Sequence, residues 1–345
     1  PLTVKPKDVE IPAYFPDIPE VRNDIARKYS NIEAMDEKVG EIISQLEEDG
    51  LLENTIIMFW SDHGGNLLRQ KRAVGNSGLN VPLIIRYPNK IDAGKVDDRI
   101  VSLMDLGPTD LSLLNIEPPK HYDGKAIAGQ YEESPRKYAF GTADRFDEST
   151  DMQRSVLDGR YVYIKNFMPE LPLIYRNKYR ERITMNSKLI QMDSLDMLEG
   201  DAKYIFMKTK PFEEFYDLET DPYEVNNIID DPKYADRINN FRDALQNWQN
   251  EINDQGFIPE NKIVESFWPN LIQPKTENVE FKMRDDGLYE LTSITNGASI
   301  GYQIEDQIGT NSWSLYYKPI LLGDKQKIVA RAIRLGYKAS EITSN

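Results

Sequence analysis

The sequence predicts an α/β unit built on a parallel sheet, then an antiparallel α+β subdomain and a terminal β-sandwich. Three observations carry this. Two apolar runs, Thr55 to Trp60 and Val81 to Arg86, read as strands buried on both faces with helical patterns beside them. From about Lys137 the pattern changes to short strand-like pieces joined by turn residues. Past Trp268 the chain is β-like, with turns at Asp285-Asp286-Gly287, Thr295-Asn296-Gly297 and Leu322-Gly323-Asp324.

Pro1, Pro6, Pro12, Pro16 and Pro19 make residues 1–20 an extended segment. Ile32, Met35, Val39, Ile42, Ile43 and Leu46 then recur at helical spacing until Gly50 stops the helix. Asp105 to Leu114 reads as a short helix, so helix, strand, loop, strand and helix follow in the order of a parallel sheet. Beyond Lys137, strands are expected at Tyr138 to Gly141, Ser155 to Leu157, Tyr161 to Ile164 and Phe212 to Leu218. Asp158-Gly159-Arg160 turns a hairpin between two of them. Asp231-Pro232 opens a helix with Ile238, Phe241, Leu245 and Trp248 on one face. The expected divisions are 1–133, 134–266 and 275–345, with Pro269 to Lys275 as linker.

The 345 residues carry 42 Lys+Arg against 57 Asp+Glu, a net charge of −15, which argues against a nucleic-acid partner. No apolar run approaches the roughly 18 to 20 residues of a membrane span, and the first residues lack a signal peptide's apolar centre. The absence of cysteine excludes disulfides and thiolate chemistry, and leaves His63 and His121 as the only imidazoles.

Ser61-Asp62-His63-Gly64-Gly65 follows the first strand at its carboxyl end, where open α/β sheets place ligands. Asp62 and His63 beside two glycines make either half of a metal site or a polar turn, and the five residues alone leave both open. Arg69-Gln70-Lys71-Arg72 sets three cations next to them in an otherwise acidic chain, the pattern of a bound anion or of a solvated loop. Lys71 suits a mobile point charge on a sulfate or phosphate oxygen; Arg69 and Arg72 suit bidentate clamping. His121, in Pro118 to Gly124, reads as a surface residue, and Arg145 and Asp147 as an exposed charged turn or sugar contacts.

Asp36 to Gly40, Leu51 to Thr55, Ser61-Asp62-His63-Gly64, Arg69 to Arg72, Gly78 to Ile84, Asp105 to Thr109 and Phe215 to Glu224 resemble, in order and spacing, the carboxyl part of the sulfatase catalytic domain in the alkaline-phosphatase superfamily. The resemblance covers about residues 1 to 250. It implies a partial alkaline-phosphatase-like parallel sheet and a calcium ion with Asp62 and His63 among its ligands, the remaining ligands lying upstream. It also implies that Lys71 contacts a sulfate oxygen of a sulfated saccharide and acts in catalysis. The family's formylglycine nucleophile comes from a Cys/Ser-x-Pro-x-Arg motif. That motif is not in this sequence; Ser134-Pro135-Arg136 has the wrong spacing. The expectation is therefore a chain inactive alone, with a missing amino-terminal half of the domain as partner.

From about residue 275, Ile294 to Tyr302, Trp313 to Ile320 and Lys327 to Tyr337 resemble the terminal β-sandwich of chitobiases, implying a periplasmic or secreted bacterial setting. The leading expectation is a calcium-dependent sulfuric-ester hydrolase. A phosphate-ester hydrolase of the same superfamily and a noncatalytic glycan-binding remnant are the alternatives.

Overall fold

A computed structural model describes residues 2–90, 93–146, 149–323 and 325–345. The chain divides into two compact units, Pro1–Asp254 and Gln255–Asn345.

The first unit opens with helix α1 (Pro19–Glu48), longer than its apolar spacing predicted because Pro19 takes the first helical turn, where a missing N–H costs nothing. Its buried face is the early part, Val21, Asp24, Ile25, Ala26 and Ser30. Val21, Ile25 and Ala26 pack with Tyr14, Phe15, Leu67, Leu68, Met185 and Leu189. Ile32, Met35 and Ile42, expected to define the inner face, are exposed.

Strand β1 (Ile57–Trp60) leads through a loop containing the four-residue helix α2 (Asn76–Leu79) to β2 (Leu83–Arg86). The expected parallel sheet is corrected here. β1 and β2 pair antiparallel, Ile57 opposite Arg86 and Trp60 opposite Leu83. Parallel pairing needs a crossover that carries the chain back to the starting end of the first strand, usually along a helix. Residues 61–82 instead fold on themselves where β1 ends, with Gly64 N–H donating to Gly78 O and Lys71 N–H to Gly65 O. Nor are these strands buried on both faces: Trp60 and Ile84 are exposed on a two-stranded ribbon.

After helix α3 (Leu106–Leu113) come β3 (Ala139–Phe146), β4 (Ser149–Leu157) and β5 (Tyr161–Asn166), then α4 (Thr184–Ser194) and β6 (Glu213–Asp217). The four strands form one antiparallel sheet in the order β3-β4-β5-β6. The β4–β5 hairpin turns at the expected residues, with Gly159 at φ +92° and the Asp158 carboxylate accepting from Tyr161 N–H at 2.7 Å. Helix α5 (Ala235–Glu251) covers one face. Its Ile238, Phe241 and Leu245 pack on Val156, Tyr163 and Phe215, and Trp248 stacks flat on Phe140 at 4.7 Å. On the other face Ala143, Val162, Ile164 and Tyr216 pack with Val74 of the loop that follows β1. That packing brings the loop onto the sheet and creates the site.

The second unit contains helix α6 (Glu260–Phe267) and the strands β7 (Glu280–Met283), β8 (Leu288–Thr292), β9 (Ser299–Ile304), β10 (Ser314–Leu315), β11 (Ile320–Leu321), β12 (Ile328–Ile333) and β13 (Thr343–Ser344). They form two antiparallel sheets, β10-β9-β12-β13 and β11-β8-β7. Leu291 of one sheet and Ile300, Ile328, Ala330 and Ala332 of the other share an apolar core with Val279. Among the described residues no helix is long and apolar enough to cross a membrane.

Candidate anion site

The loop after β1 is held by contacts that only small residues permit. A Cβ on Gly64 would sit 2.0 Å from Ser77 O, and one on Gly78 would sit 2.2 Å from Ala73 O. Ser77 Oγ donates to Arg69 O at 2.5 Å, and Ala73 N–H to Gln70 O at 3.0 Å. Arg69 and Arg72 adopt positive φ, 64° and 75°, a conformation that L side chains seldom take and that this closed loop enforces. Outside it, Lys28 Nζ donates to Gln70 Oε1 at 2.9 Å, and burial lowers the Lys28 pKa.

The loop forms one wall of a cavity of about 90 Å³ in the first unit, and Arg69, Lys71, Arg72 and Ser77 all line it. The opposite wall is Asp144 of β3, Asp151 and Gln153 of β4, and Glu214 of β6. Tyr175, Asn177 and Arg180 close it from the segment before α4. All three predicted cations therefore line one cavity, in a chain of net charge −15.

Their roles differ. Arg69 is buried, and its terminal nitrogens donate to Tyr223 O at 2.6 Å and Glu224 O at 2.5 Å, with its guanidinium over the rings of Tyr14 and Tyr204. It fastens the loop to residues 223–224. Burial works against its charge, but the Glu224 carboxylate at 3.9 Å and the neighbouring phenols hold its pKa above the ordinary value. Glu224, itself at φ +52°, accepts from Asn76 N–H at 2.9 Å; burial pushes its pKa up, and Arg69 opposes that rise. Glu214 is buried in a cluster where it accepts from Tyr204 Oη at 2.6 Å, Tyr216 Oη at 2.5 Å and Asn166 Nδ2 at 2.6 Å. Lys71 and Arg72 are half-buried at the wall, and Lys71 has a flexible stem with which to follow a ligand.

Asp62 and His63 lie earlier in the same loop and are not among the cavity's lining residues. The His63 Nδ1 is 2.7 Å from Gly64 O; with the proton on Nδ1, His63 donates there and Nε2 carries the bare lone pair. That Nε2 stands 3.3 Å from Asp62 Oδ2, and the Asp62 side chain is 78% exposed. Among the described residues no group of three or more His, Asp or Glu is placed to hold a metal. His121 is exposed, its ring meeting Tyr122 edge-on. Arg145 is exposed on β3, and Asp147 lies outside the described residues.

Sequence reading missed the far wall. Tyr175, Asn177 and Arg180 sit in no periodic pattern, Asp144 and Asp151 lie outside the expected strands, and Glu214 reads as a strand charge. Only the sheet's fold brings them opposite Lys71.

Residues 5–116 match the family model for the sulfatases. Among its relatives is an ulvan-active sulfatase of Formosa agariphila, 38% identical over 336 residues that make up 96% of this chain and 56% of that protein. Human N-sulphoglucosamine sulphohydrolase is 26% identical, over 79% of this chain and 57% of its own length. The chain thus spans somewhat more than half of the curated relatives it matches. The structure of BT1596, a 2-O GAG sulfatase, superposes with a TM-score of 0.50 at 21% identity, covering 68% of this chain and 44% of that one, a likeness of fold. These findings correct one expectation. The sulfatase match over residues 5–116 and the Formosa relative's alignment with 96% of this chain argue against the expected missing amino-terminal half of the sulfatase domain as its partner.

Proposed function

We propose that the chain belongs to a sulfuric-ester hydrolase of sulfated carbohydrate, and that the cavity beside Lys71 receives the sulfate group. The observation that carries this is that Arg69, Lys71 and Arg72 all line one cavity of an acidic protein. Lys71 supplies a mobile positive charge to a sulfate oxygen, Arg72 a planar fork, and Arg69 the fixed loop geometry and a buried positive field. Cations already in place when negative charge moves onto the ester oxygen stabilise that transition state without reorganising, which is Lys71's catalytic role in this reading.

Calcium is the metal that the resemblance implies, with Asp62 and His63 as its ligands in this chain. The His63 Nε2 and the Asp62 carboxylate stand 3.3 Å apart, close enough to share one cation. One carboxylate and one nitrogen nevertheless fall short of the six to eight oxygens that calcium takes, so the reading routes no step through a metal. With no Cys/Ser-x-Pro-x-Arg motif in the sequence, it gives this chain ligand capture without turnover. The Formosa relative and the chitobiase-like sequence of residues 275–345 support a secreted or periplasmic, glycan-directed setting.

The test is a calorimetric titration of inorganic sulfate, and separately of phosphate, into the 345-residue chain. Saturable sulfate binding is expected, weakened about 10- to 100-fold by Lys71→Ala, the loss of one charge-assisted contact. A preference for phosphate would replace the reading with a phosphate-ester hydrolase. Binding of neither anion, or unchanged binding by the variant, would remove it.

A further inference from the structure

The cavity has a second polar end that the sulfate reading does not use. Tyr175 lines it, and the Tyr175 hydroxyl is buried without a hydrogen bond of ordinary geometry to any described group. A buried phenol O–H left in that state is costly unless a ligand or water completes it. The residue is firmly held. Arg180 donates to the Tyr175 carbonyl at 3.0 Å, and the Lys210 ammonium lies 5.5 Å from the centre of its ring. Lys210, whose side chain is fully buried, also pairs with Asp151 Oδ2 at 2.8 Å and reaches Pro172 O at 3.3 Å. Asp151 is thereby fixed in the same wall, with its Oδ1 accepting from Met152 N–H at 2.8 Å. Burial pushes the Tyr175 phenol up, and the charge of Asp151 and the hydroxyl's poorly aligned approach to that carboxylate add to this, so the hydroxyl keeps its proton and remains a donor.

A donor beside a carboxylate acceptor, both preset, is what recognises an alcohol, since a sugar hydroxyl both accepts and donates. Resting on the proposed function, we infer that Tyr175 and Asp151 form a subsite for a ring hydroxyl of the sulfated sugar: Tyr175 Oη donates to it and Asp151 accepts from it while Lys71 holds the sulfate. The space agrees with one ring rather than a chain, since about 90 Å³ equals roughly six to nine times the minimum a single water needs. Tyr175 is a specificity residue here, because it contacts the sugar and not the ester being cleaved.

The experiment compares inorganic sulfate with the 6-sulfates of glucose, galactose and N-acetylglucosamine, titrated into the full chain and into Tyr175→Phe. The variant keeps the ring on Lys210 and removes only the hydroxyl, and circular dichroism checks its fold. At least one sugar sulfate should bind the parent about tenfold more tightly than sulfate does. That margin should collapse in Tyr175→Phe while sulfate binding stays unchanged. Tyr175→Trp, which fills the space, should admit sulfate and exclude the sugar. If sulfate binds but no sugar sulfate gains a margin, or the margin survives in Tyr175→Phe, the subsite is wrong and the anion reading stands. If the parent binds neither sulfate nor any sugar sulfate, both fall.

Discussion

Lys71 and Glu224 set opposite electrostatic demands on one small space. Burial raises the Glu224 pKa, so its carboxyl stays neutral to a higher pH than an ordinary glutamate, and the cavity then carries more net positive charge. As pH rises through that raised value, Glu224 ionises and its charge opposes an arriving anion. Sulfate affinity is therefore expected to fall as pH rises above the ordinary glutamate value of about 4.3. Glu224→Gln, which can still accept from Asn76 N–H, should flatten that profile; titrations at several pH values check it. A parent profile already flat would show that Glu224 does not communicate with the bound anion. At this scale the sequence told part of the site. The Arg69 to Arg72 run announces cations by type and number, but not that Arg69 is committed to the carbonyls of Tyr223 and Glu224. A contact 154 residues distant has no local signature.

The decisive element is the loop between β1 and β2. Its apolar flanks were legible as strands, but their direction was not, because antiparallel pairing follows from the path of residues 61–82 and not from hydrophobic pattern. The hairpin at Asp158-Gly159-Arg160 and helix α5 were legible because local chemistry decides them: a glycine at positive φ, and Ile238, Phe241 and Leu245 at helical spacing. Gly78→Ala tests the loop as a unit. The added methyl would meet the Ala73 carbonyl, so the loop must open, at about 1–3 kcal/mol for overpacking. Sulfate affinity is expected to fall at least as far as in Lys71→Ala. The near-ultraviolet signal of the aromatic core around Phe215 and Phe241 should be retained. Unchanged affinity would show that the loop's closure does not position Lys71.

For the whole molecule, composition excluded more than it specified. The charge of −15 argued against a nucleic-acid partner, and the 345 residues hold no cysteine to supply a thiol. The family came from the order of short motifs along residues 36–224, and the sulfatase match over residues 5–116 agrees with it. The far wall of the cavity was illegible because Asp144, Asp151, Glu214 and Tyr175 meet only after four strands pair and residues 173–180 fold against them. The claim that joins these scales is that sulfate lodges between the β1–β2 loop and the four-stranded sheet. A crystal structure of the chain grown with sodium sulfate tests it most directly. Sulfate should occupy the cavity with an oxygen within hydrogen-bond reach of Lys71 Nζ, about 2.7–3.2 Å. An occupied sulfate site elsewhere, with this cavity holding only water, would contradict the account.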